Sequence, residues 1–176
     1  GAYPSQPIIL INPFPPGGSN DLAARVIATQ LSERLGKQFL VENRGGAGGV
    51  VGTELVAKSA PDGYTLLITS IAGTVTPWLY KLSFEPVTSF TPVSILLSVP
   101  TVLVVHPDLP VKSTKELIAM AKEKPGQLQY ASSGIGASLH LAGELFKVMA
   151  SVDILHVPFR GAGPAMIDVV GGHTKV

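Results

Sequence analysis

Three times in this chain an apolar strand runs into a glycine-rich turn that opens a helix. The first turn carries Phe14, Pro15, Pro16, Gly17, Gly18, Ser19 and Asp21, the second Ser133, Gly134, Gly136, Ala137 and Ser138, and the third Phe159, Arg160 and Gly161. Such punctuation belongs to parallel α/β sheets, whose loops gather beyond the carboxyl ends of the strands. The first N–H groups of a helix lack intrahelical partners, and the macrodipole is positive there. Each turn can therefore hold a carboxylate or phosphate through its backbone, without a basic side chain. Small-anion binding is the first expectation.

The pattern around the first turn predicts an alternating series. Residues 7–11 form a continuous apolar run, as a strand buried on both faces requires. Ser19, Asn20 or Asp21 is expected to cap the next helix, whose core face holds Ala24, Ile27, Ala28, Leu31 and Leu35 and which ends at Gly36. Strands at 39–42 and 64–70 flank a glycine-rich loop at 43–49 and a helix at 50–58. Strand and helix alternating at this spacing imply right-handed crossovers and a doubly wound sheet. Two runs punctuated by prolines, 93–98 and 101–105, read as β-rich and as the crossing to a second series. There a capping box at Ser113 and Glu116 opens a helix reaching about residue 124. Strands at 128–131 and 154–158 alternate with helices at 138–150 and from Pro164, and the ending at 173–176 enters a further strand. This divides the chain into a first α/β lobe, residues 1–99, and a second, residues 100–176.

Composition excludes several classes. Thirteen basic and twelve acidic residues leave a formal charge of +1, with no basic run to follow a nucleic-acid backbone, so nucleic acid is not an expected partner. The longest apolar run, 93–105, is interrupted by Ser98 and Pro100, so no stretch is long enough to span a bilayer as a helix. The absence of cysteine removes disulfides and thiolate metal sites and is silent on compartment. Gly1, Ala2, Tyr3 and Pro4 carry neither a charged nor an apolar leader, reading as a cytosolic start or a mature end after signal removal. His140 and Glu144, one helical turn apart, lack a third metal ligand, and Ser138 with His140 lacks an orienting acid. The sixth position after each glycine pair is Val51, Leu139 or Met166, so no dinucleotide fingerprint exists, nor a phosphate loop or nucleophile elbow. Neither catalysis, a metal nor a cofactor is expected.

Several segments together resemble a known family. Tyr3 to Ile8, Pro13 to Gly18 with Asp21, Val41 to Arg44, Ala60 to Leu66 and His140 to Phe146 closely resemble the solute receptors of tripartite tricarboxylate transporters, the Bug receptors, across nearly the whole chain. The resemblance implies a type II periplasmic-binding-protein architecture of two α/β lobes closing on a small carboxylate. It also implies a periplasmic location after signal removal, and delivery of the solute to membrane permease subunits. It places the solute's far end at Phe14, Pro15, Pro16, Gly17, Gly18, Ser19 and Asp21. A carboxylate falls to Ser133, Gly134, Gly136, Ala137, Ser138 and His140, with Phe159, Arg160 and Gly161 beside it.

Two departures stand out. Between Ser70 and Tyr80 relatives usually show a histidine and an Asn-Pro pair, whereas this chain has Thr76 before Pro77. Ser70, Thr74 and Trp78 are the candidates in that stretch, Trp78 suiting a longer or more apolar diacid, and the choice of solute does not carry over. Relatives also continue well beyond residue 176, so the resemblance implies an incomplete second lobe, and unpaired edges favour dimerisation or strand exchange. Three alternatives stay open: a shortened receptor that has lost binding, an enzyme, or a regulatory effector domain.

Overall fold

The computed structural model describes residues 3–176; Gly1 and Ala2, read above as part of the chain's start, lie outside them. The chain separates into two compact units, Gly1–Val99 and Pro100–Val176.

In the first unit β1 (Ile8–Asn12), β2 (Phe39–Asn43) and β3 (Thr65–Leu67) form a parallel sheet in the order β2-β1-β3. The apolar run thus occupies the central strand, where both faces are covered. α1 (Ser19–Leu35) packs Ala23 and Ala24 against Leu10 and Ile68, and Ala28 against Ile8 and Phe39. Gly36, in the left-handed conformation, closes the helix, while Leu35, expected on the core face, is exposed. A 3-10 turn at Ala47–Gly49 leads into α2 (Val50–Ala57). Right-handed crossovers to strands on either side of β1 place α1 and α2 on opposite faces, the doubly wound arrangement. α3 (Ala72–Leu79) follows β3 and carries Pro77 within it.

In the second unit α4 (Thr114–Glu123) precedes the parallel pair β4 (Gln129–Ser132) and β5 (Leu155–Pro158), joined through α5 (Ser138–Ala150) and followed by α6 (Ala162–Val170). Leu117, Ala121, Leu128, Tyr130 and Ile154 form its core. Ser113 caps α4 by accepting the Glu116 N–H at 3.2 Å, as the motif requires, but Glu116 reaches back to the Lys112 N–H at 2.7 Å. Pro164 stands at the third position of α6, still within the first turn, where a missing N–H costs no intrahelical bond. Val176 accepts from the Ala131 N–H at 2.9 Å, so the last residues run beside β4.

The two β-rich runs are the main correction. Residues 91–105 form no strand. Val93 and Ile95 are 87% and 92% exposed, and no described strand lies alongside to complete a ladder. Strand propensity without a partner leaves backbone groups to water, because a strand is stabilised by its neighbours rather than by itself.

Candidate functional site

Helix starts are set at the carboxyl ends of strands in both units. In the first, the order β2-β1-β3 reverses direction between β1 and β3, where a doubly wound sheet leaves room for a ligand. The turn after β1 is pinned from beneath. Asp21, buried in the first turn of α1, accepts the Gly17 N–H at 3.0 Å, the Asn43 amide at 2.9 Å and Arg25 Nε at 3.2 Å. Burial pushes its carboxyl up, but the bonds from Gly17, Asn43 and Arg25 outweigh it and hold the group below the usual aspartate range. Asn43 also donates to the Phe14 carbonyl at 3.2 Å, tying β2 to the turn. Gly52 in α2 lies so close that a Cβ would stand 2.6 Å from the Arg44 carbonyl oxygen and 2.8 Å from Pro13 Cα, which fixes the spacing beneath the turn. Gly18, rather than a side chain, occupies the N-cap position, and Leu22 N–H bonds to its carbonyl at 3.1 Å. The backbone N–H groups of Ser19, Asn20 and Asp21 have no acceptor among the described residues.

Ser70, Thr74 and Trp78 come together elsewhere in this unit, around a hollow of about 370 Å³ shared with Thr53, Pro77 and Phe90. Trp78 is 86% exposed, so it is not a core aromatic.

In the second unit the two remaining turns lie side by side. Phe159 N–H donates to the Ser132 carbonyl at 3.0 Å and Gly161 N–H to the Ser133 carbonyl at 3.2 Å. Gly134 sits at φ +126, and a Cβ there would come within 3.2 Å of the Phe159 oxygen, so glycine permits this close approach. Three N–H groups within the second turn are already engaged. Gly134 donates to Ser132 Oγ at 3.2 Å, Gly136 to His140 Nδ1 at 3.1 Å, and Ala137 to the Gly134 carbonyl at 3.1 Å. One step further on, Ser138, Leu139 and His140, in the first turn of α5, have backbone N–H groups with no acceptor among the described residues. Arg160 is exposed and makes no hydrogen bond or ion pair among the described residues.

Behind the turn lies a polar cluster. His156 Nε2 stands 2.6 Å from Ser132 Oγ, its ring stacked on His140 at 4.2 Å and on Tyr130 at 4.9 Å. Burial, then the His140 charge, lowers the His156 pKa below the usual histidine range. Tyr130 donates to Glu144 at 2.7 Å, and Lys147 reaches the same oxygen at 3.0 Å. Burial raises the Tyr130 pKa, aided by Glu144; the Glu144 carboxyl is lowered despite burial by its bonds from Tyr130 and Lys147. With Glu144 so engaged and His140 Nδ1 bonded to the backbone, the pair does not stand as an open metal site. Among the described residues no group of three or more histidine, aspartate or glutamate side chains is placed to hold a metal.

The profile described as "Tripartite tricarboxylate transporter family receptor" matches residues 23–176. The chain belongs to the tripartite tricarboxylate transporter receptor family. Protein BugT of Bordetella pertussis (strain Tohama I) is 43% identical over 173 residues, covering 97% of this chain and 53% of BugT. Rpa4515 of R. palustris, solved with adipate, is 38% identical with a TM-score of 0.93, over 99% of this chain and 59% of that one. MatC of Rhodopseudomonas palustris, solved with bound malate, is 31% identical with a TM-score of 0.89, over 98% of this chain and 60% of that one. A further solved relative, BugD, described as a periplasmic binding protein, is 36% identical with a TM-score of 0.83, over 98% of this chain and 58% of that one. The α/β fold is therefore that of the family's periplasmic binding proteins, and this chain spans about half the length of the curated relatives it matches.

Within this family member, three residues that hold the turns escaped the reading of the sequence, Asn43, Ser132 and His156, as did the buried Asn12. Asn12 is fully buried at the end of β1, and its side-chain amide has no hydrogen-bond partner among the described residues. Its signal was a polar residue closing an apolar run; that of His156 was a histidine inside an apolar strand.

Proposed function

We propose that this chain is part of a periplasmic solute receptor that captures a small carboxylate, a dicarboxylate above all, for delivery to the membrane permease subunits of a tripartite transporter. The observation that carries the reading is the first turn of α5, where Ser138, Leu139 and His140 offer unpaired N–H groups beside the paired turns at 133–137 and 159–161. One carboxylate docks there, received by aligned amides and the positive end of the helix. Arg160 supplies a cation at the neighbouring helix start, suited to a second carboxylate. In the first unit, the start of α1 and the Trp78 hollow provide a further anion-facing turn and an apolar surface. Relatives solved with adipate and with malate support a diacid as the solute class.

Selective capture without turnover has a simple signature. Adipate or malate should raise the melting temperature in proportion to RT ln(1 + [L]/Kd), and neither should be consumed. A melting temperature indifferent to a panel of dicarboxylates, aromatic carboxylates and amino acids would contradict the reading, and would favour the alternative that this length of chain keeps its fold without affinity.

A further inference from the structure

The turn at 133–137 contains two glycines in left-handed backbone, Gly134 and Gly136, and its shape depends on the polar bonds that pin it. One of these is conditional on protonation. Gly136 N–H donates to His140 Nδ1 at 3.1 Å, which requires a lone pair on that nitrogen and so assigns the ring proton to Nε2. His140 is the third residue of α5, where a neutral acceptor reaching back to the turn plays the part glutamate plays in a capping box.

We propose that neutral His140 is the positioning residue of this anion cradle, and that a proton on Nδ1 releases Gly136 and weakens carboxylate binding as the medium acidifies. The inference rests on the receptor reading above for its ligand. A protonated Nδ1 would turn one donor against another, so the bond is lost. It would also put a cation at the positive end of α5, against the macrodipole; that cation attracts a carboxylate, so the affinity lost is the cost of the broken turn less this attraction. Because Nδ1 faces Gly136, the new proton points into the turn rather than toward the free amides of Ser138 and Leu139.

The groups around the ring decide how readily it charges. From β5, His156 stacks on it at 4.2 Å and an interplanar angle of 25°, and two imidazoles so placed resist carrying charge together. From β4, Tyr130 stacks on the far side of His156, its hydroxyl 3.5 Å from the His140 carbonyl. On α5 itself, the Glu144 carboxylate favours the proton and the Lys147 ammonium opposes it. Burial first, and then the His140 charge, lower the His156 pKa, and its Nε2 stands 2.6 Å from Ser132 Oγ.

The test uses the full chain. In the absence of solute, the Gly136 amide resonance should follow the His140 ring signals with a common midpoint across one acid titration. Adipate affinity should fall about tenfold across that titration, the loss of roughly one hydrogen bond. His140→Gln offers Gly136 a neutral oxygen that does not titrate, so its affinity should vary by no more than about twofold. The probe's own carboxyl titration is common to both proteins and cancels in the comparison. A Gly136 resonance that ignores the His140 ring, an affinity that rises in acid, or an equal slope in His140→Gln would each overturn the proposal. If adipate bound neither protein at any pH, the receptor reading would fail while the Gly136 resonance still decided the role of His140.

Discussion

Two buried polar residues around the first turn make opposite predictions. Asp21 gathers Gly17, Asn43 and Arg25 on one buried carboxylate. Asp21→Ala leaves those donors without their charged acceptor and should destabilise the first unit by about 2 kcal/mol in urea unfolding followed through Trp78 fluorescence. Asn12 presents the reverse case, a fully buried amide without a partner among the described residues. Asn12→Leu, similar in size and apolar, removes that unsatisfied group and should raise stability by about 1 kcal/mol, or a few degrees in melting temperature. A loss of stability would show that the amide is satisfied in solution. Neither role was legible beforehand. Asp21 read as a cap and a ligand contact because it starts a helix; its bond from Asn43 crosses 22 residues of chain, and no local pattern reports it.

Helices and strands were legible where their stability is local or their partners recur. β1 was expected at the centre from its apolar run, α5 from its spacing, and α4 from Ser113 with Glu116, because burial periodicity and capping leave marks within a few residues. Residues 91–105 failed for the complementary reason: their composition favours strand, but pairing depends on what lies alongside. The β4–β5 pair carries a pH dependence of its own. His156 has its pKa depressed by burial, so the folded state favours the neutral ring and the unfolded chain binds the proton more readily. Its contribution to stability is therefore present above about pH 6.5, the ordinary histidine value, and is lost as pH falls below it. Denaturant unfolding of the second unit should show this decline, and His156→Gln, which keeps a neutral partner for Ser132, should reduce it. An unchanged slope in that variant would assign the effect elsewhere.

At the scale of the whole chain, family membership and fold stand on the match over residues 23–176 and on solved relatives of the same architecture. The chain spans about half the length of its curated relatives, and it exposes Val93, Ile95 and Val102 at 87%, 92% and 74% along an unpaired segment. We propose that this segment drives self-association through strand exchange, since unpaired apolar backbone invites a second chain. Light scattering should give a concentration-dependent mass above that of one chain, lowered by Val93→Lys with Ile95→Lys; a clean monomer at all concentrations would count against it. The central claim concerns the amides at the start of α5, and one substitution separates binding from folding there. Aspartate at the first helical position suits the macrodipole, so Ser138→Asp should melt at or slightly above the wild-type temperature while its charge repels an incoming carboxylate. Calorimetric titration with adipate and with malate should show saturable binding of at least one to the wild-type chain and none to Ser138→Asp. Equal affinity in the two proteins would contradict the account.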